Sequence, residues 1–279
     1  MWQGPSGLPP ALAFAGTCPY DVPPLAWKEH PLLQLDATTW AVAVAAGLML
    51  GFTKTGVAGM GILVVPIMAG LFPVKESVGI LLPMLLVGDV IAVTYYRKHT
   101  QWRHLLRLLP WVLAGMPVGY LALRFADNEQ MKVGLGGLLL VLIVLAVLQK
   151  RWGQWLEAKL PHAWWFAAPM GALAGFATTA ANAAGPITTV YMWVQDLKKH
   201  EFMGTVAVFF GTVNLLKVVP YAHLGLISRE SLVFDACLIP AIGLGAVAGI
   251  WLLPRIPQRL FEWLVLALAA AASVRLVLA

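Results

Sequence analysis

Long apolar segments alternate with short polar ones along most of this sequence. Several apolar segments reach 18 residues or more, which is enough for an α-helix to cross a hydrocarbon core about 30 Å thick. This pattern predicts an all-α polytopic membrane protein. The predicted crossing helices are residues 77–96, 105–125, 131–148, 202–220, 231–253 and 261–278.

Two further pairs of apolar segments are shorter, and a glycine-rich break interrupts each pair. The first pair, residues 37–52 and 57–71, flanks a break in the glycine-rich stretch from Gly51 to Gly61, and the second pair, 163–176 and 185–194, flanks another break. Backbone without helical hydrogen bonds is tolerated at membrane depth only where protein or a water-filled cavity surrounds it. We therefore expect two broken-helix pairs that meet at a binding site.

The two broken pairs belong to two copies of one longer pattern. Residues in the first half align with residues in the second half at offsets that grow from 124 to 125 and then to 130. This order of landmarks indicates duplicated helices with small insertions in the loops. The aligned pairs include Trp40 and Trp164, Gly51 and Gly175, Thr55 and Thr179, Asp89 and Asn214, Gly115 and Gly245, and Gly119 and Gly249.

The duplication predicts a division of the chain into four parts. A proline-rich N-terminal arm covers residues 1–36, and a first transmembrane repeat covers 37–148. A basic cytoplasmic linker, 149–162, then leads to a second transmembrane repeat, 163–279. Each repeat is expected to hold one broken pair and three crossing helices.

Composition and loop charge place the chain in a membrane and orient its repeats. The chain is 60% hydrophobic and 11% charged, whereas soluble proteins are about 25% charged. Cytoplasmic loops hold an excess of Lys and Arg, which places residues 97–107, 150–159 and 196–201 in the cytoplasm. The broken pairs are then re-entrant hairpins, the repeats are inverted, and both termini are periplasmic in a bacterial inner membrane. If each broken pair were one kinked span, the repeats would be parallel.

The glycine pattern resembles that of a known family. Gly51-Phe, followed by Val-Ala-Gly-Met-Gly61 and mirrored by Gly175-Phe and Gly185, is similar to the duplicated signature of the sulfite exporter TauE/SafE family. That family is also called the toluene-sulfonate uptake permease family. The resemblance covers roughly residues 37 to 279 and implies secondary transport of sulfur-containing anions. The resemblance also implies that relatives which transport thiosulfate have a cysteine-based pattern in the site. Neither break of this chain contains cysteine, which argues against thiosulfate as the substrate.

The residues of the two breaks suit an anion. Half-helices that begin near Gly56–Gly61 and at Gly185 would direct N–H groups and positive dipole ends at a midplane site, and threonine and asparagine supply neutral donors. Alternatively, the small residues only allow close helix packing. The candidate substrate-binding residues are Thr53, Lys54, Thr55, Gly56, Gly59, Gly61, Thr178, Thr179, Asn182, Gly185 and Asn214.

Three charged residues in the apolar segments are candidates for coupling or charge pairing. An ionisable residue in a membrane interior costs at least about 2.5–3.5 kcal/mol, so Lys54 is a functional hypothesis by default. Its alternatives are a lysine that snorkels to the surface and a structural pair with Asp89. Asp89 would neutralise Lys54 or carry a coupling proton. Lys217 is expected near the outer end of its helix, where it snorkels or attracts anions.

The sequence thus predicts a secondary transporter for a small sulfur-containing anion such as sulfite, sulfoacetate or another organosulfonate. We expect no enzyme activity, cofactor or metal, because no catalytic or metal-binding cluster lies in the predicted spans. Expected partners are the anion and membrane lipids, and nucleic acid is not expected. Proton or cation coupling and a homodimer stay open. The alternatives are a transporter of another small organic or inorganic anion, and a membrane partner or assembly protein without transport activity.

Overall fold

A computed structural model describes residues 35–56, 60–141, 144, 164–193, 195 and 197–252 of the chain. The regular elements of these ranges are helices, which confirms the all-α membrane prediction. Two short 3₁₀ turns lie at Met60–Leu63 and Arg97–His99. The helices are α1 (Ala37–Thr55), α2 (Val64–Leu71), α3 (Val74–Tyr96), α4 (Trp102–Phe125), α5 (residues 128–141), α6 (Trp164–Ala181), α7 (Gly185–Trp193), α8 (Lys199–His223) and α9 (Arg229–Leu252).

Five of the described helices are long and apolar enough to cross a membrane. Four of them, α3, α4, α8 and α9, match predicted crossing helices. The fifth is α1, which ends at Thr55 and not at residue 52, because Gly51 packs against α9 instead of breaking the helix. The arm, the linker up to residue 163 and the predicted span 261–278 lie outside the described residues, except for Leu35 and Asp36.

Glycines bring two pairs of helices into backbone contact. A Cβ atom added to Gly51 of α1 would lie 1.9 Å from the Ile242 carbonyl oxygen of α9. A Cβ atom added to Gly175 of α6 would lie 2.1 Å from the Val112 carbonyl oxygen of α4. Both are aligned positions of the two halves, so α1 packs on α9 as α6 packs on α4.

The reciprocal glycines complete these two interfaces. A Cβ atom on Gly245 would lie 1.9 Å from the Leu48 carbonyl oxygen, and one on Gly115 would lie 2.0 Å from that of Ala172. The Gly-x₃-Gly pairs of α4 and α9 therefore pack against helices of their own chain. This packing leaves them no role in a dimer interface.

Helices α3 and α8 lie between these two pairs and hold the ends of the broken helices. The Tyr96 hydroxyl of α3 donates to the Thr55 carbonyl over 2.7 Å. At the aligned positions, the Tyr221 hydroxyl of α8 donates to the Thr179 carbonyl over 2.8 Å. Each tyrosine satisfies a carbonyl that the end of a helix leaves without an intrahelical partner.

The two broken helices end in different ways. At the end of α1, Gly56 donates to the Phe52 carbonyl, and the chain returns so that Gly61 lies near Thr53. At the end of α6, Asn182 adopts a left-handed backbone with φ 54°, a conformation that asparagine tolerates better than most residues. The 3₁₀ turn and α7 then begin at Met60 and Gly185, close to the expected positions.

Candidate functional site

A cavity lies where the two breaks face α3 and α8, and we call it the central cavity. It contains about 730 Å³ of space between protein atoms, open solvent included. Residues of both halves line it. Its polar or glycine lining residues are Thr53, Lys54, Gly61, Asp89, Thr178, Asn182, Gly185 and Asn214.

A charged pair crosses one wall of the central cavity. The Lys54 ammonium donates to Asp89 over 2.5 Å, with 13% of the Lys54 side chain and 3% of the Asp89 side chain exposed. The Asn214 amide donates to the other Asp89 oxygen, also over 2.5 Å. Asp89 therefore has a cationic partner from the first half and a neutral one from the second.

The Lys54 ammonium also lies 4.9 Å from the centre of the Phe210 ring. An aromatic face attracts a cation, so Phe210 helps to hold the ammonium at the cavity wall. Apolar residues of α3 and α8 make up most of the remaining lining. The pair is mostly buried, which strengthens the attraction between its two charges.

Lys217 lies in the interior, and the prediction that it snorkels is wrong. Its side chain is fully buried. The ammonium donates to the Thr178 carbonyl and hydroxyl, each over 3.1 Å, and to the Asn182 side-chain oxygen over 2.5 Å. Three acceptors therefore take up the three ammonium donors at the end of α6.

The positive charges of the site are arranged around helix ends. Lys54 lies in the last turn of α1, and the Lys217 side chain extends from α8 to the last turn of α6. Cations are favourable at both places, because the C-terminal end of a helix carries partial negative charge. Gly61 and Gly185 bring the starts of the following half-helices to the cavity wall. Asp89 compensates the charge of Lys54. The N–H groups at the starts of the two following half-helices then favour an anion.

Three of the remaining predicted residues, Thr55, Thr179 and Gly56, are not part of the cavity lining. The Thr55 hydroxyl donates to the Ala246 carbonyl of α9 over 2.8 Å, which ties α1 to α9. Thr179 is buried, and its carbonyl accepts from Tyr221. In the part of the chain that the structure describes, its hydroxyl has no hydrogen-bond partner. Gly56 ends α1, and Gly59 is outside the described residues.

Two residues of interest were missed in the sequence, Phe210 in the cavity lining and Asp235 elsewhere on α9. Phe210 had no signal, because an aromatic residue in an apolar helix is most often simply core. Asp235 did have a signal in the sequence, since it is a lone acidic residue inside the predicted span 231–253. It is 4% exposed, and neither carboxylate oxygen has a hydrogen-bond partner among the described residues. Within the described residues no group of three or more His, Cys, Asp or Glu is placed to hold a metal.

Comparison with known proteins relates the chain to one family. Residues 43–276 match the family model described as "Sulfite exporter TauE/SafE". The match covers both breaks and every described helix except the start of α1. Neither the curated proteins nor the solved structures contain a match to this chain.

Proposed function

Because the chain belongs to the sulfite exporter TauE/SafE family, a family of membrane transporters, we propose that it carries sulfite or a small organosulfonate across the inner membrane. The observation that supports this most is the central cavity. Two broken helices from the two halves bring a lysine, neutral donors and half-helix starts to one enclosed place. Broken helices that present their ends to a midplane substrate are common in secondary transporters.

The cavity chemistry fits a sulfonate or sulfite group. Such a group has three oxygens that share negative charge and accept hydrogen bonds. The Asn214 amide has a second N–H besides the one that it donates to Asp89, and Lys54 offers a charged donor. The Thr53 hydroxyl, which donates to the Leu50 carbonyl in this structure, would turn to reach the anion. The apolar lining next to them suits the carbon part of an organosulfonate.

Binding would rearrange the Lys54–Asp89 pair. An anion at Lys54 takes the place of the Asp89 carboxylate, which is then left with Asn214 alone. A proton on Asp89 removes that uncompensated charge. We therefore propose proton-coupled transport in which Asp89 is protonated when the anion is bound, with Lys54, Asn214 and Lys217 as the neighbouring polar or charged groups.

The direct test is anion flux into proteoliposomes together with a thermal-shift panel on purified protein. We expect sulfite or sulfoacetate to raise the melting temperature and to show saturable flux. Taurine, thiosulfate and sulfate complete the panel. If another anion in the panel binds and moves in their place, the site transports anions but the sulfur-anion proposal is wrong. If none binds, the transporter proposal itself is contradicted.

We also propose that the two repeats are inverted and that each broken pair is re-entrant. The loop charges support this arrangement, and so does the return of the chain from Thr53 to Gly61. Single cysteines at Lys75 and Lys198 are then expected to react from opposite membrane faces. Both positions start long helices at aligned ends of the two halves. Labelling of both from one face would contradict the inversion.

A further inference from the structure

Helix α7 and the turn that follows it carry a stripe of buried polar side chains, Thr188, Tyr191 and Gln195, here called the α7 stripe. Spacings of three and four residues place them on one helical face. Their exposed fractions are 0%, 1% and 5%. The Thr188 and Tyr191 hydroxyls and the Gln195 side-chain oxygen have no hydrogen-bond partner within the described residues.

Three unpartnered polar groups in a dry interior would be expensive, since each costs about 1–3 kcal/mol. The fold does not require them. At the aligned positions of α2, the first half has Val64, Ile67 and Leu71. The second half therefore keeps a polar face where the first half has an apolar one. In the described conformation no water-sized space lies beside these groups. They gain partners when the neighbouring helices move and water or a polar solute passes along them.

The α7 stripe leads away from the central cavity. Gly185, the first residue of α7, lines the cavity. Thr188 lies one turn further on, and Gln195 lies about 15 Å from Gly185 along the helix axis. The stripe therefore connects the cavity to the membrane face at which α7 ends, which the loop charges predict to be cytoplasmic.

A cation lies beside this route. The charge of Arg107, in the second turn of α4, acts on the Tyr191 hydroxyl. The basic segment 97–107 precedes and begins α4 at the same end. An anion that moves along the stripe would meet neutral donors from α7 and a positive charge from α4.

We propose that the α7 stripe is the route by which the anion passes between the central cavity and the cytoplasmic face. The route is closed in the described conformation, because its side chains are buried, and water enters it when it opens. The apolar face of α2 provides no such route on the other side, so the opening lies in the second half. This inference rests on the proposed transport function and adds the path to the site.

The test separates passage from binding with nearly isosteric variants. Thr188→Val and Tyr191→Phe, alone and together, remove a hydroxyl and leave the packing of Phe166 on the Tyr191 ring in place. We expect the double variant to bind sulfoacetate with unchanged affinity and to transport it at least tenfold more slowly. If the stripe is dry and only structural, the same variants melt at a higher temperature and transport at the parent rate. That result would overturn the proposal.

Cysteine accessibility provides a second measurement with a matched control. In a background without Cys18 and Cys237, Tyr191→Cys is expected to react with a negatively charged thiosulfonate reagent. Sulfoacetate should slow that reaction. Ile67→Cys, at the aligned position of α2, should stay unreactive. Equal reactivity of the two cysteines would contradict the proposal, whereas failure of the parent to bind or transport any anion would contradict the proposed function instead.

Discussion

Lys54→Gln is expected to abolish anion binding and to lower the stability of the folded protein at the same time. The variant removes the charged donor of the cavity, and loss of one partner of a buried charged hydrogen bond costs about 2–5 kcal/mol. Affinity should therefore fall at least about thirtyfold. Stability should also fall, by about 3–5 kcal/mol, because Asp89 is left buried without its cation.

The two effects separate in a double variant. Lys54→Gln with Asp89→Asn has no uncompensated charge, so its melting temperature should return most of the way to that of the parent. Its anion binding should stay absent. A double variant that binds sulfite or sulfoacetate as well as the parent does would show that Lys54 is a structural cation and that the anion site lies elsewhere.

Asp89→Asn alone should differ from both Lys54→Gln and the double variant. Lys54 loses its resting partner, so the anion should bind at least as tightly as in the parent. Transport should slow and lose its dependence on pH, because no carboxylate is left to carry the proton and to pair with Lys54 again after the anion leaves. Flux at several external pH values, compared with binding by thermal shift, measures both properties. A pH dependence equal to that of the parent would rule out Asp89 as the coupling group.

The second large effect is expected for Gly245→Ala. The new Cβ atom would lie 1.9 Å from the Leu48 carbonyl oxygen and 2.7 Å from its carbon, and backbone atoms cannot rotate away. Helices α1 and α9 must then move apart. Overpacking of this kind costs about 3 kcal/mol. We expect a large loss of folded protein, measured by thermal unfolding in detergent.

Gly243→Ala is the matched control on the same helix. No heavy atom lies within 4 Å of its added Cβ atom. Alanine is favoured over glycine in a helix by about 1 kcal/mol, so this variant should be as stable as the parent or slightly more so. If the two variants melt at the same temperature, the close contact of α1 with α9 is wrong.

The helices were largely predictable because apolar length is a strong signal in a membrane. The duplicated landmarks also predicted useful contacts, since Gly51 and Gly175 pack on aligned residues of α9 and α4. Helix ends were less predictable. Glycine permits both a break in a helix and the close approach of another helix. Only the position of α9 shows that Gly51 allows a close approach and does not break α1.

Site residues were predictable where a break presents them and unpredictable where another helix reaches in. Lys54 was visible because a charge interrupts an apolar segment. The environment of Lys217 was not, because Asn182 and Thr178 lie far from it in sequence and meet it only through the packing of α8 on the end of α6. The position of Lys217 along its helix predicted a side chain that reaches the surface. The packing of α8 on the end of α6 instead holds its ammonium in the interior.

The contact of Asp89 with Asn214 has a consequence for the ancestry of the chain. These aligned residues touch each other directly, with the amide nitrogen 2.5 Å from the carboxylate oxygen. A dimer of two identical half-length proteins would place the same side chain on both sides of this contact. The observed contact joins two different side chains, so it requires two halves that differ in sequence, as the halves of this chain do.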